Sequence, residues 1–390
     1  MPPTEPCHPN PTFPSAAQFV DQVNNLITNI TLPRLHDDLQ TLVSFYTRHF
    51  RTSTGRDAAI WVQQRLRSVL NDGTNITVSL FEHQWTQPSV IARIPGTSNI
   101  TIVLSAHIDS VNLYLPFFLA APGANDDASG VVALLSAFTA ISQSKVTFTN
   151  TLEFHIYAAE EAGFWGSSDV FSSYNKARRN VYSLLQFDNI GSMAKGHKPS
   201  VGIVTDYLPV SFSDYIRLLV LTYLDVPVVE TVCGYACSDH AAAIRYGYTG
   251  GLVTAGRLED FTAAEDKSHT SADTMDKVDL EHVMRFAKLG IAYAYELGFA
   301  DLGGDGIRGY TCDIGYPDGW SGSVLRFGAA RSTDPLGLAL WALAAFVILM
   351  IARPWEEVPC LMKMGRKVKR VFKRGSRGRY TRVTERDVPD

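Results

Sequence analysis

The sequence is poor in charged residues and contains no internal repeat. Asp, Glu, Lys and Arg make up 19% of its 390 residues, whereas hydrophobic residues make up 46%. This balance excludes an intrinsically disordered chain and a collagen-like chain. No low-complexity block precedes the C-terminal tail. We therefore expect a folded protein with a sizeable core.

Cysteine is scarce, with five residues in the whole chain. Cys233 and Cys237 either form a small disulfide, as an oxidising compartment allows, or are two free thiols. Cys7 and Cys312 are a second candidate pair, which no motif supports. Cys360 is a candidate for palmitoylation or an unmodified thiol.

Charge is distributed unevenly along the chain. Residues 353–390 carry 12 basic and 5 acidic side chains, a net charge of +7, and the preceding part carries −11. Residues 335–352 contain no charged side chain, and this length is within the range of about 17–25 residues that spans a bilayer. The alternative is a buried helix of a large domain. We expect a transmembrane helix at 335–352 and a basic cytoplasmic tail, both in contact with membrane lipids. Nucleic acid is not an expected partner, because the preceding part is acidic.

Three N-glycosylation sequons precede this apolar segment, at Asn29, Asn75 and Asn99. With the expected span they predict a single-pass membrane protein whose main domain is lumenal or extracellular. Removal of the C-terminal segment would give a secreted protein. The N-terminal residues lack the pattern of a signal peptide, so we expect either a truncated start or insertion directed by the span.

Strand-like and helix-like segments alternate through the middle of the chain. Apolar, β-branched runs at residues 99–107, 151–160 and 183–191 are separated by helical patterns such as the one at 127–142. This alternation predicts an α/β fold with a mainly parallel sheet and helices on both of its faces.

Polar side chains follow three of the predicted strands. These candidates are His107, Asp109, Glu160, Glu161 and Asp188. Because ligands of such sheets bind beyond the carboxyl ends of the strands, we expect these side chains to lie close together.

Two loops contribute Asp126 and Asp127 at a helix start and His269 before the last helix. Either Asp126 or Asp127 could instead cap the helix. A donor set of His, Asp and Glu without Cys suits zinc, cobalt or manganese. So many ligands at separate positions predict a pair of metals bridged by one carboxylate.

The Glu160–Glu161 pair ends a strongly apolar strand. Neighbouring side chains there point in different directions. One carboxylate can therefore bind metal while the other accepts a proton from the attacking water.

Six motifs occur in an order that resembles the co-catalytic dizinc leucyl aminopeptidases secreted by bacteria and fungi. They are HIDS, APGANDDASG, AAEEAGFWGS, QFDNIGS, CGYACSDHAA and SHTSADT. The resemblance covers about residues 45–299 and implies a three-layer fold with a mixed central sheet.

The resemblance also implies two Zn²⁺ per subunit. It makes His107 and Glu161 ligands of one zinc and Asp188 and His269 ligands of the other, with Asp126 as the bridge.

Further roles are implied for residues beside the metals. Glu160 would be the general base, and Asp109 would orient His107. Tyr235 would lie near the reacting carbonyl, on a loop stiffened by a Cys233–Cys237 disulfide.

The implied reaction is hydrolysis of the N-terminal peptide bond of peptides with apolar, leucine-like first residues. The alternatives are another zinc amidohydrolase or carboxypeptidase, a glutaminyl-cyclase-like enzyme, or a non-catalytic, receptor-like ectodomain. The oligomeric state is not predicted. The expected organisation is an irregular arm at 1–34, a catalytic domain at 35–300, a connector at 301–334, the span at 335–352 and the tail at 353–390.

Overall fold

A computed structural model describes residues 11–116, 118–262 and 265–303. All of them belong to the first of the two units into which the chain divides, residues 1–324.

Helices and strands alternate along this part of the chain. The helices are α1 (Val20–Ile27), α2 (Leu32–Ser44), α3 (Ser53–Arg67), α4 (Ser129–Gln143), α5 (Trp165–Lys176), α6 (Val210–Tyr223), α7 (His240–Arg245) and α8 (Leu280–Phe299). The strands are β1 (Thr77–Phe81), β2 (Ser89–Ile94), β3 (Thr101–His107), β4 (Thr151–Tyr157), β5 (Val181–Phe187), β6 (Val201–Val204), β7 (Val228–Thr231) and β8 (Gly250–Thr254). A kinked segment (Ala124–Ala128), in which Asp126 and Asp127 have non-helical backbone angles, leads into α4.

The strands form one mixed sheet in the order β1-β2-β4-β3-β5-β8-β6-β7. Its centre, β4-β3-β5-β8, is parallel. Strands β1 and β2 extend one side in antiparallel pairing, and β6 pairs antiparallel with β8 on the other. Since β3 lies between β4 and β5, the carboxyl ends of these three strands are neighbours.

Each face of the sheet packs against helices. Phe154 of β4 meets Phe138 of α4, and Phe187 of β5 meets Phe286 of α8, in edge-to-face contacts. These phenylalanines are fully buried, and each contributes about 1.5–3 kcal/mol of hydrophobic stabilisation. The opposite face forms a second cluster with α5 and α7.

Helix α4 is apolar on all sides because it is enclosed by the rest of the domain. Thirteen of its fifteen residues, Ser129 to Ile141, are buried. A helix enclosed in this way needs no polar face.

The predicted α/β fold, with a central sheet between helices, is confirmed by this architecture. The predicted irregular arm at 1–34 differs from it, because residues 20–27 form α1 and α2 begins at Leu32. Helix α1 is amphipathic, and Val23 is buried in the core. A helix of only eight residues is easily missed among proline and asparagine residues.

The prediction of a single-pass membrane protein is contradicted by the helices. None within residues 11–116, 118–262 and 265–303 is long and apolar enough to cross a bilayer. The run at 335–352, the tail at 353–390 and most of the connector lie outside the described residues. An uncharged run of 18 residues is at the short end of the spanning range, so composition alone does not establish a span.

Asn29, Asn75 and Asn99 are all exposed. Their glycosylation stays a prediction. Cys7, Cys312 and Cys360 lie outside the described residues.

Candidate metal centre

The first group of candidate ligands lies at the carboxyl ends of the three central strands. It consists of His107, Glu160 and Asp188, and their nearest ligand atoms all lie within 4.8 Å of one another. His107 Nε2 is 3.6 Å from Asp188 Oδ1 and 4.0 Å from Glu160 Oε2. All three side chains are buried.

The second group consists of Asp126, Glu161 and His269, again within 4.8 Å of one another. His269 Nε2 lies 2.9 Å from Glu161 Oε2 and 3.1 Å from Asp126 Oδ2. The other carboxylate oxygen of Asp126 lies 3.1 Å from His107 Nε2. Asp126 therefore lies between the two groups, as a bridging ligand would.

This grouping differs from the pairing that the resemblance implied. His107 lies with Asp188, and Glu161 lies with His269. The strand order explains the difference, because His107 and Asp188 leave the adjacent strands β3 and β5. Glu161 lies beyond the end of β4 and meets the loop before α8 instead.

The backbone carbonyl group of Asp109, and not its carboxylate, contacts the ring of His107. His107 Nδ1 is 3.1 Å from the Asp109 carbonyl oxygen, whereas the Asp109 carboxylate is 3.6 Å away. That carboxylate accepts hydrogen bonds from the backbone N–H groups of Glu160 and Glu161, at 2.9 and 3.1 Å. Asp109 therefore fixes the turn that presents both glutamates.

The side chain of Asp127 has a structural role, unlike that of Asp126. Its carboxylate accepts hydrogen bonds from the backbone N–H groups of Gly130 and His107, at 3.0 and 3.1 Å. Asp127 is therefore the residue of this pair that satisfies the start of α4, and Asp126 is left for the centre.

Burial and crowding perturb the carboxyl groups of the centre. Burial raises the pKa of Glu160 well above its ordinary value; the charge of His107 opposes this rise, and the charges of Asp188 and Glu161 add to it. Burial likewise raises the pKa of Glu161 to about 7. These carboxylates therefore need positive charge beside them in order to ionise.

The pKa values of the two histidines are also raised, in this case by the neighbouring carboxylates and against the effect of burial. Burial lowers the pKa of His269, but the charge of Glu161 and hydrogen bonds to Asp126 and Glu161 raise it to about 12. A cluster of four carboxylates and two imidazoles, of which only Glu161 and His269 are partly exposed, suits divalent cations, which supply that positive charge directly. The oxygen and nitrogen donors fit zinc.

A cavity of about 660 Å³ opens onto the centre. The acidic part of its wall includes Asp126, Glu160, Glu161 and Asp188. Its apolar part includes Phe164, Met193, Val232, Tyr235, Leu252, Leu258 and Phe261. The site thus combines ligands for metal with an apolar pocket.

Tyr235 lies on a loop closed by the Cys233–Cys237 disulfide. Its side chain is 64% exposed and lines the cavity. Asp206 accepts hydrogen bonds from the backbone N–H groups of Cys233 and Gly234, at 2.6 and 2.7 Å. The expected disulfide is present, and the role of Tyr235 stays a prediction.

Three residues around the centre are absent from the sequence-based prediction. Asp273 accepts hydrogen bonds from the backbone N–H groups of Asn125 and Asp126, at 2.9 and 3.0 Å. Asn189 hydrogen-bonds to Asp188. Arg48 donates to the carbonyl group of Ile108. Asp273 lies in the SHTSADT motif, which could have indicated it, whereas Arg48 gives no such signal.

Fold and site together are those of an α/β metallohydrolase. Residues 89–294, which include every candidate ligand, match the model of peptidase family M28. Leucine aminopeptidase 1 of Uncinocarpus reesii is 40% identical over 303 residues, covering 75% of this chain and 76% of that protein. The chain therefore belongs to peptidase family M28 and is a peptidase.

Solved structures agree with this assignment. The LapA aminopeptidase of Legionella pneumophila is 29% identical with a TM-score of 0.68, covering 74% of this chain and 78% of that one. A glutaminyl cyclase of Porphyromonas gingivalis is 18% identical with a TM-score of 0.53, covering 68% and 98%, and shows a likeness of fold alone. The family implies zinc as the metal, and both aminopeptidase relatives support a zinc aminopeptidase.

Proposed function

We propose that the protein is a dizinc aminopeptidase that removes apolar, leucine-like residues from the N-terminus of peptides. The observation that carries the proposal is the position of Asp126, whose two oxygens each lie 3.1 Å from a histidine of a different ligand group. A carboxylate shared in this way supports two metal ions held side by side.

The ligands proposed for one zinc are His107 and Asp188, and those for the other are Glu161 and His269. Asp126 serves both. Bound zinc supplies Lewis-acid polarisation of the peptide carbonyl and of the attacking water.

Glu160 is the proposed general base. It lines the cavity, and its backbone is fixed by Asp109. In this position its carboxylate accepts a proton from the attacking water and returns it to the leaving amine nitrogen.

The cavity supports the proposed selectivity. Its acidic wall attracts the free α-ammonium group of a peptide, and Val232, Leu252 and Phe261 offer an apolar surface to the first side chain. A blocked N-terminus loses the ionic contact. The relatives named leucine aminopeptidase support the same preference.

Glu160→Gln tests the mechanism. The amide keeps the shape of the side chain but cannot accept the proton, so kcat for a leucyl anilide should fall about 10²–10⁴-fold. Zinc content, measured by elemental analysis, should stay unchanged. Glu281→Gln, at an exposed glutamate of α8, is the matched control and should keep full activity.

Two results would contradict the proposal. Glu160→Gln with wild-type kcat would exclude Glu160 as the base. Equal cleavage of leucyl and N-acetyl-leucyl substrates by the wild type would exclude selection of a free N-terminus and favour the other amidohydrolases.

A further inference from the structure

Arg48 is fully buried in the loop between α2 and α3. Its guanidinium group contacts two of the backbone segments that carry candidate ligands. Nε donates to the carbonyl oxygen of Ile108 at 2.7 Å, and Nη2 donates to that of Gly123 at 2.9 Å. Ile108 follows His107 directly, and Gly123 lies three residues before Asp126.

Further hydrogen bonds fix Arg48 in the same place. Nη1 donates to the carbonyl groups of Pro122 and Leu42. The backbone N–H group of Arg48 donates to Ser110 Oγ at 3.0 Å. Side chain and backbone of one residue therefore hold residues 108–110 and 122–123 together.

The chain makes room for this contact at Gly123. A Cβ atom there would lie 2.8 Å from Arg48 Nη2 and 2.7 Å from Ser110 Cβ. The φ angle of Gly123 is +54°, in the region that favours glycine. The approach of the guanidinium group to this backbone thus depends on the absence of a side chain.

The acceptors of the guanidinium group are backbone carbonyl oxygens, and within the described ranges no carboxylate forms an ion pair with it. A buried charge without an ionic partner is costly, so it needs compensation from elsewhere. Burial lowers the pKa of Arg48, and the negative charges of Asp273, Asp109, Asp127 and Asp126 oppose this effect. Arg48 and these four aspartates, of which Asp126 is a candidate ligand, therefore stabilise one another electrostatically.

We propose that Arg48 is a positioning residue of the metal centre, which fixes the His107 segment relative to the Asp126 segment and offsets part of their negative charge. The inference rests on the proposed function only in taking these residues as zinc ligands. It goes beyond that function in assigning the geometry of the centre to a residue that touches neither metal nor substrate.

Arg48→Met and Arg48→Lys test the proposal. Methionine removes the charge and all donors, so zinc affinity of the folded protein should fall at least about 10-fold, as for other residues that orient metal ligands. Lysine keeps the charge but cannot bond to both segments, so its zinc affinity should lie between those of Arg48→Met and the wild type. Zinc affinity is measured by competition with a chromogenic chelator, together with kcat and KM for a leucyl anilide. We expect the loss of activity to appear in kcat.

Arg65→Met is the matched control. Arg65 is largely buried and pairs with Asp38 at 2.7 Å, an interaction between α3 and α2 that includes no candidate ligand. Its loss should lower the thermal unfolding midpoint and leave zinc affinity unchanged.

Wild-type zinc affinity in either folded Arg48 variant would overturn the proposal. A loss of zinc affinity in Arg65→Met as large as in Arg48→Met would also overturn it, because the effect would then be a general loss of structure. If Arg48→Met does not fold, the zinc affinity of Arg48→Lys alone tests the proposal. The chelator competition measures zinc affinity independently of which substrate the enzyme cleaves. A failure of the proposed function would appear only in the leucyl anilide assay, so the two failures are distinguishable.

Discussion

Asn189 connects three ligand-bearing segments through one side-chain amide. Its Nδ2 donates to Asp188 Oδ1 at 3.0 Å. Its Oδ1 accepts from Asn125 Nδ2 at 2.7 Å and from Ser268 Oγ at 3.1 Å. Asn125 precedes Asp126, and Ser268 precedes His269. The φ angle of Asn189 is +54°, which asparagine tolerates better than most residues.

Asn189→Ala should weaken zinc binding about 10-fold while the protein remains folded. The reason is that Asp188, Asn125 and Ser268 lose their common partner. Because Asn189 is only half-buried, its removal leaves no large cavity. Chelator competition measures the effect.

Asn150→Ala is the control for this variant. Asn150 is buried and donates to the carbonyl groups of Leu297 and Ala300, at the opposite end of β4 from the centre. We expect it to lower stability without changing zinc affinity. Unchanged zinc binding in Asn189→Ala would show that the three segments hold their positions without the amide.

At this scale the sequence predicted which side chains meet, because the ends of strands can be located from apolar runs. His107, Asp188 and Glu160 are examples. It could not predict how they group, since strand order is a property of the folded sheet. Arg48 was missed because a single arginine forms no pattern, and its contacts are with distant backbone. Asn189 lies in the QFDNIGS motif, but its contacts with the distant side chains of Asn125 and Ser268 exist only in the folded chain.

Strand β4 carries a buried polar network on the face that packs against α5. Glu153 lies 2.9 Å from His155 Nε2 and accepts a hydrogen bond from Tyr174 at 2.6 Å. Its other oxygen pairs with Arg93 and with Arg179. Burial raises the pKa of Glu153, but the bonds from His155 and Tyr174 and the charge of Arg179 outweigh burial and lower it to about 2.

This network predicts a loss of stability in acid. The folded pKa of Glu153 is depressed from an ordinary 4.5 to about 2, so its contribution is complete above pH 4.5 and disappears as the pH falls towards 2. A shift of this size corresponds to roughly 3 kcal/mol. In Glu153→Gln, the free energy of unfolding should be lower at pH 7, and its fall between pH 5 and 3 should be smaller than in the wild type.

The quantity to compare is the difference in the free energy of unfolding between wild type and variant at each pH, because the acids of the centre titrate as well. Glu82→Gln is the control, because Glu82 forms an exposed pair with Arg56, and such pairs contribute about 0–1 kcal/mol. Urea unfolding at several pH values measures all three proteins. Parallel curves for wild type and Glu153→Gln would mean that Glu153 does not contribute in this way.

Long, fully buried elements were predictable from the sequence, and short edge elements were not. Strands β3, β4 and β5 are buried at every position, so each appears as an apolar run. Strand β7 has four residues and only Thr231 is buried. Such a strand is specified by its neighbour in the sheet and leaves little trace in hydrophobicity.

At the scale of the whole molecule, the centre joins segments that are far apart in sequence. Its ligands extend from His107 to His269, and they come from strand ends, the kinked segment before α4 and a loop. A ligand that binds only the folded state stabilises it in proportion to the logarithm of its concentration over Kd. Zinc should therefore stabilise the entire domain, although it contacts few residues.

Zinc titration of the metal-free protein should raise the thermal unfolding midpoint. At zinc concentrations 100 times Kd the gain is about 2.7 kcal/mol. The increase should continue until two equivalents are bound, because Asp126 serves two ligand groups. Equilibrium dialysis gives the number of zinc ions per chain.

Two variants separate the groups. Asp188→Asn weakens the group of His107, and Glu161→Gln weakens the group of His269, so each variant should bind one zinc with high affinity and lose part of the thermal gain. The geometry predicts this because each residue approaches a different histidine, at 3.6 and 2.9 Å. The control variant Glu281→Gln should bind two zinc ions. A wild-type protein that binds a single zinc, or variants that both lose all zinc, would mean that the six side chains form one metal site instead of two.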